Sequence, residues 1–178
     1  MQYYPQKAIG KVTLLEHQEF LSTVSQIAVA LVGFTGIVAA FRYRTDLWSA
    51  EERTMFRTML RAAVSALFLS LVPYLLSIYL TDSELMWRLS SGLIAIVMAT
   101  NIYASAQHGL GLLRVSWLHT LLFPAGTVIM IANLVAFAGL LPADNIAVSS
   151  LVWQLLVATH NFISLILGKP VKEYADPE

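Results

Sequence analysis

Five apolar runs separated by short polar intervals organise this chain, at about residues 20–41, 62–80, 86–107, 118–141 and 146–167. Each matches the roughly 20 residues a helix needs to cross a hydrocarbon core of about 30 Å. A backbone in lipid must satisfy its own hydrogen bonds, so the runs are expected to be helices. The pattern predicts an all-α integral membrane protein, a bundle of five transmembrane helices, with residues 1–178 forming a single transmembrane domain.

Local signals refine the boundaries. Ser49 followed by Glu52 is a capping box, which starts the second helix near Ala50 and carries it about three turns beyond the apolar run. Thr81 with Glu84 repeats that spacing before the third run, and Asp144 is placed to cap the fifth. Gly109 and Gly111 punctuate the end of the third. Pro73 and Pro124 fall inside runs, where they kink a helix rather than end it.

Charge orients the bundle. The interval 42–61 holds Arg42, Arg44, Arg53, Arg57 and Arg61, five of the eleven basic residues. Cytoplasmic loops carry the Lys/Arg excess. Placing this loop inside also brings Arg114, Lys169 and Lys172 inside, leaving only Lys7, Lys11 and Arg88 outside. The expected topology is N-terminus out and C-terminus in, as a multi-pass protein of the cell (inner) membrane. Tyr43, Trp48 and Trp117 then fall at the inner interface, and Tyr79 and Trp87 at the outer one, as aromatic belts require.

A shift of 59 residues lays SSGLIAIVMATNIYAS (90–105) over SSLVWQLLVATHNFIS (149–164), with Asn101 above His160. Apolar segments match easily by chance, so the match alone does not establish a repeat. A genuine one gives one helix plus two equivalent hairpins running in the same direction, as parallel repeats do in transporters.

Composition agrees with lipid as the solvent. Hydrophobic residues make up 57% of the chain, mean hydropathy is +0.68, and 12% of residues are charged, against about 25% in soluble domains. Zero net charge gives no nucleic-acid footprint. The absence of cysteine excludes disulfides, thiolate metal sites and thiol catalysis. The first twenty residues lack the apolar core of a signal peptide, so the mature chain is expected to begin at Met1.

The candidate chemistry is polarity within the runs. Intramembrane polar groups usually face a bundle interior or a water path. Gln26, Asn133 and Gln154 form an outer layer, and Asn101, His160 and Asn161 an inner one among Thr100, Thr159, Ser105 and Ser164. On the third helix Ser91, Asn101, Ser105 and His108 share a stripe; on the fifth, Ser150, Gln154, Asn161 and Ser164 do so. Such stripes either line an aqueous path, with Ser91, Asn101, Ser105, Ser150, Gln154, His160, Asn161 and Ser164 as pore-lining candidates, or bond neighbouring helices. Gly33 and Gly36, with Gln26, Ala30 and Ala40, make one flank of the first helix small, a packing seam within the chain or between chains. Arg53, Arg57 and Arg61 recur every four residues; they serve topology, or bind anions or anionic lipid headgroups.

No carboxylate pair, Ser/His/Asp set or phosphate loop occurs, so no enzyme, metal or cofactor is expected. Arg114 and His119 match the R-x4-H spacing of HEPN ribonucleases, but without the soluble helical domain that hosts it. Three functions fit. The first is a homo-oligomeric channel for ions or small solutes, lined by helices three and five, because five helices are few to enclose a path alone. The second is a non-catalytic regulatory or partner subunit of a larger membrane complex. The third is a haem-binding redox subunit using His160 and a second histidine.

Overall fold

The computed structural model describes residues 6–43, 49–109 and 117–167. They form five helices: α1 Gln6–Tyr43, α2 Ala50–Tyr79, α3 Ser83–Gly109, α4 Trp117–Phe137 and α5 Ala143–Leu167. No strand occurs among the described residues. Assignments on Arg44, Trp48, Gly111, Arg114, Lys169 and Lys172 lie outside the described residues, as do the side chains of Lys7, Lys11, Arg42, Tyr43, His108, Trp117 and His119.

Capping chemistry sets the boundaries. The Ser49 hydroxyl accepts from the Glu52 amide at 3.1 Å, and the Ser49 amide donates back to the Glu52 carboxylate at 3.0 Å, so α2 begins where its capping box dictates. At α3 the cap is Asp82 rather than Thr81. Its carboxylate accepts from the amides of Glu84 at 2.9 Å and Leu85 at 3.4 Å, the two donors that a residue immediately ahead of Ser83 can reach. Asp144 lies inside the first turn of α5, where its charge favours the positive helix end without capping it. Pro73 and Pro124 both lie within helices, and α3 ends at Gly109.

The fourth helix ends at Phe137, short of the expected 141. Gly139 takes φ +81°. Its amide reaches the Ala136 carbonyl at 2.9 Å while the Leu140 amide reaches that of Val135 at 3.1 Å, a Schellman stop. Arg88 completes it, donating from Nε to the Phe137 carbonyl at 3.0 Å.

Four helices (α1, α2, α3 and α5) are long and apolar enough to cross a membrane. The apolar stretch of α4, Leu121–Phe137, is shorter. Helices α2 to α5 form a ring in chain order, in which α2 closes onto α5 and α3 also meets α5 across the middle. Two hairpin turns mark one end of the ring, the turn end. At the far end α2 and α4 begin while α3 and α5 finish. Near the turns the core is dense: Met86, Ile94, Ala143, Ala147 and Leu151 pack with Leu69 of α2 and Leu21 of α1. Trp87, expected in an interfacial belt, is buried there at 5% exposure, its ring 5.3 Å from that of His17.

Helix α1 lies outside the ring against α2 and α5. Its inward face is Leu21, Val24, Ala28, Leu31 and Thr35. The small flank is on the opposite side: Gln26, Ala30, Gly33, Gly36 and Ala40 are all exposed, and a Cβ added at either glycine meets nothing within 4 Å. A seam within the chain at Gly33 and Gly36 is therefore corrected, because larger residues took the inward face.

The two hairpins correspond, at an offset of 60 residues rather than 59. Ser83 and Ala143 begin α3 and α5. The buried α5 positions Ala147, Ser150, Leu151, Gln154 and Ala158 fall on Trp87, Ser90, Ser91, Ile94 and Met98, all buried. Ser90 and Ser150 both bond back to the carbonyl four residues earlier, at 2.9 and 2.7 Å. Since one residue turns a helix by about 100°, the correction is substantive. It pairs Asn101 with Asn161 instead of His160.

Candidate functional site

Toward the far end the ring is not filled. A cavity of about 150 Å³ lies there, lined by α2, α3, α4 and α5. Thr54, Thr58, Arg61 and Ala62 face it from α2, and Met98, Asn101, Ile102, Ser105 and Ala106 from α3. Leu122, Phe123 and Gly126 complete it from α4, with Trp153, Gln154, Val157 and Asn161 from α5. Nine residues of α2, α3 or α5, eight rises, span its height, about 12 Å at 1.5 Å per residue.

Half of the eight pore-lining candidates meet in this one cavity: Asn101, Ser105, Gln154 and Asn161. The other four do not. Ser91 donates to the Ala143 carbonyl at 3.1 Å, tying α3 to the start of α5. Ser150 accepts from Asn133 at 2.6 Å, tying α5 to α4. Both are fully buried in the dense half, so they hold helices together. His160 and Ser164 are half-buried and do not line the cavity.

The polar atoms inside are unequally satisfied. Asn101 donates to the Ser65 hydroxyl at 3.1 Å, and Asn161 to the carbonyl of Val157 at 2.8 Å. Gln154 is 4% exposed, yet neither end of its carboxamide has a hydrogen-bond partner among the described residues. Because α5 starts at Ala143, Gln154 sits about 16 Å along it, deeper than an outer polar layer implies. Among the described residues Arg61 is the only charged one of the lining, and it has no ion-pair partner. Arg53, Arg57 and Arg61 are all exposed, and of the three only Arg61 lines the cavity.

Sequence reasoning missed Thr54, Thr58, Gly126 and Trp153. Thr54, Thr58, Arg61 and Ser65 follow a four-three-four spacing and so form a polar stripe on α2. That stripe was available as a signal. Gly126 leaves room for the indole: a Cβ there comes within 3.3 Å of Trp153 Nε1.

A second hollow, about 250 Å³, lies among the turns around Arg88, Glu84 and Asp144. It is larger, but its cation is committed to the α4 stop, which marks it as a structural gap. No cluster of three or more His, Cys, Asp or Glu that could hold a metal occurs among the described residues. No family model, no curated protein and no solved structure matches the chain.

Proposed function

We propose that the chain is a multi-pass protein of the cell membrane, crossing five times with its N-terminus outside, and that it is a channel or pore for ions or small solutes. The pathway runs inside each chain and includes the cavity between α3 and α5. The observation that carries this is convergence: Asn101, Ser105, Gln154 and Asn161 come from two helices, and all face one hollow. An axial pore between chains has less support, because Gln154 and Asn161 are buried within their own chain.

Purified protein in liposomes is expected to pass small solutes, and replacement of Asn101 or Asn161 to change which ones. Liposomes that stay tight, with insertion and orientation verified, overturn the proposal. Homo-oligomerisation through the outward flank of α1 belongs to the same proposal, since an exposed Gln26 and open glycines suit close helix contact.

That flank also favours a second reading, a non-catalytic subunit docked through α1 onto another membrane complex. It predicts a stoichiometric partner recovered from native membranes and lost when Gly33 and Gly36 become Leu. Recovery of the chain only as a symmetric homo-oligomer removes it.

A further inference from the structure

We infer that the cavity is a binding site for a small amphiphilic anion, whose charged group is held by Arg61 and whose apolar body lies against Trp153, Phe123 and Met98. The inference rests on the membrane setting proposed above and specifies the class of molecule that enters the same site. Three observations lead to it.

The first is charge. Among the described residues Arg61 is the single charged side chain of the lining, it has no ion-pair partner, and no carboxylate faces the cavity. A guanidinium matches a carboxylate or phosphate with two parallel hydrogen bonds. A cation entering here meets the repulsion of Arg61, and no described carboxylate offsets it. The second is the wall, which is mostly carbon: aliphatic, aromatic and thioether groups surround a few polar atoms. A small inorganic anion leaves that surface unused, whereas an amphiphile covers it. The third is Gln154. A carboxamide that is 4% exposed and has both ends unpartnered among the described residues forgoes hydrogen bonds. A neutral hydrogen-bonding group on the ligand, or water carried in with it, completes those bonds.

The anionic group has two sources: a free organic anion from solution, or the head of an anionic lipid whose tail enters between helices. Both share the carboxylate or phosphate chemistry that Arg61 recognises.

The test uses the full chain in nanodiscs and photo-crosslinking with three probes: diazirine-labelled octanoate, its trimethylammonium counterpart, and an anionic phospholipid carrying the same label. Adducts are mapped by peptide mass spectrometry. Octanoate adducts on α3, α4 and α5 cavity residues, competed by unlabelled octanoate, support a free organic anion. Adducts at those positions from the labelled lipid alone support the lipid source. In either case Arg61→Gln is expected to raise the half-saturating probe concentration about tenfold, while Arg61→Lys restores much of it. Matching thermal unfolding of the variants excludes misfolding. Equal labelling by the cationic probe, or labelling unchanged by Arg61→Gln, overturns the inference. Labelling without solute flux leaves this site standing and removes the pathway proposal; flux of cations without anion labelling does the reverse.

Discussion

Replacing Gln154 by Met is expected to stabilise the protein in the absence of ligand. Met nearly conserves volume and removes two polar atoms that are buried without partners among the described residues. Interhelical hydrogen bonds in membranes average about 0.6 kcal/mol, so two unmade ones set a floor of about 1 kcal/mol. Orphaned buried groups in proteins generally cost about 1–3 kcal/mol each, so two set a ceiling of about 6 kcal/mol. For a chain of this size each kcal/mol moves Tm by about 2–4 °C, so the gain is about 2–24 °C. The assay is thermal unfolding in detergent followed by tryptophan fluorescence, on protein stripped of bound amphiphiles. The same substitution is expected to shrink the stabilisation that octanoate confers on the unaltered chain, which is about 2.7 kcal/mol at a hundredfold excess over Kd. A Tm lowered or unchanged by Gln154→Met refutes the reasoning, because it means that the carboxamide is already satisfied.

Gly139→Ala is expected to lower stability by about 1–2 kcal/mol, the penalty for a left-handed residue with a Cβ. The added carbon also comes within 3.0 Å of Arg88 Cζ, so the loss should shrink in an Arg88→Ala background, as a double-mutant cycle will measure. Ser49→Ala removes the α2 cap and should cost about 1 kcal/mol, seen as faster hydrogen exchange at the Glu52 amide. Gly33→Leu with Gly36→Leu should leave unfolding of the single chain unchanged, because nothing lies within 4 Å, while abolishing self-association measured by light scattering. Ser65→Ala takes the partner from Asn101 and should change solute selectivity in liposome flux with a stability loss of about 1 kcal/mol or less.

Helix count and the start of α2 were legible because they depend on local chemistry. A capping box declares itself through two residues three apart, and Ser49 with Glu52 closes as expected. Register between the hairpins was legible only to within one residue. Adjacent serines at 90 and 91 match 149 and 150 under one offset, and Ser90 matches Ser150 under the other. Apolar neighbours do not discriminate, so only burial in the folded chain decides. On α2 two stripes share Arg61. Charge points to the one with Arg53 and Arg57, while packing turns the one with Thr54 and Thr58 inward. The side of a helix that faces its neighbours is set by the whole bundle, which a single strip of polar spacing does not contain. The same limit applies to α1. Small residues permit close approach, but Leu21, Val24, Ala28 and Leu31 offered more apolar area and took the interior. The stop at Gly139 was hidden because it interrupts an apolar stretch without any polar residue to announce it.

An odd helix sits awkwardly on a bundle of paired hairpins. Exchanging the hairpins carries the berth of α1, between α2 and α5, onto the groove between α4 and α3, where no other helix packs extensively. Leu93 and Ile96 of α3 and Val128 and Ile131 of α4 stay exposed. One berth is thus upholstered by the chain's own first helix, while its twin is left bare among the described residues.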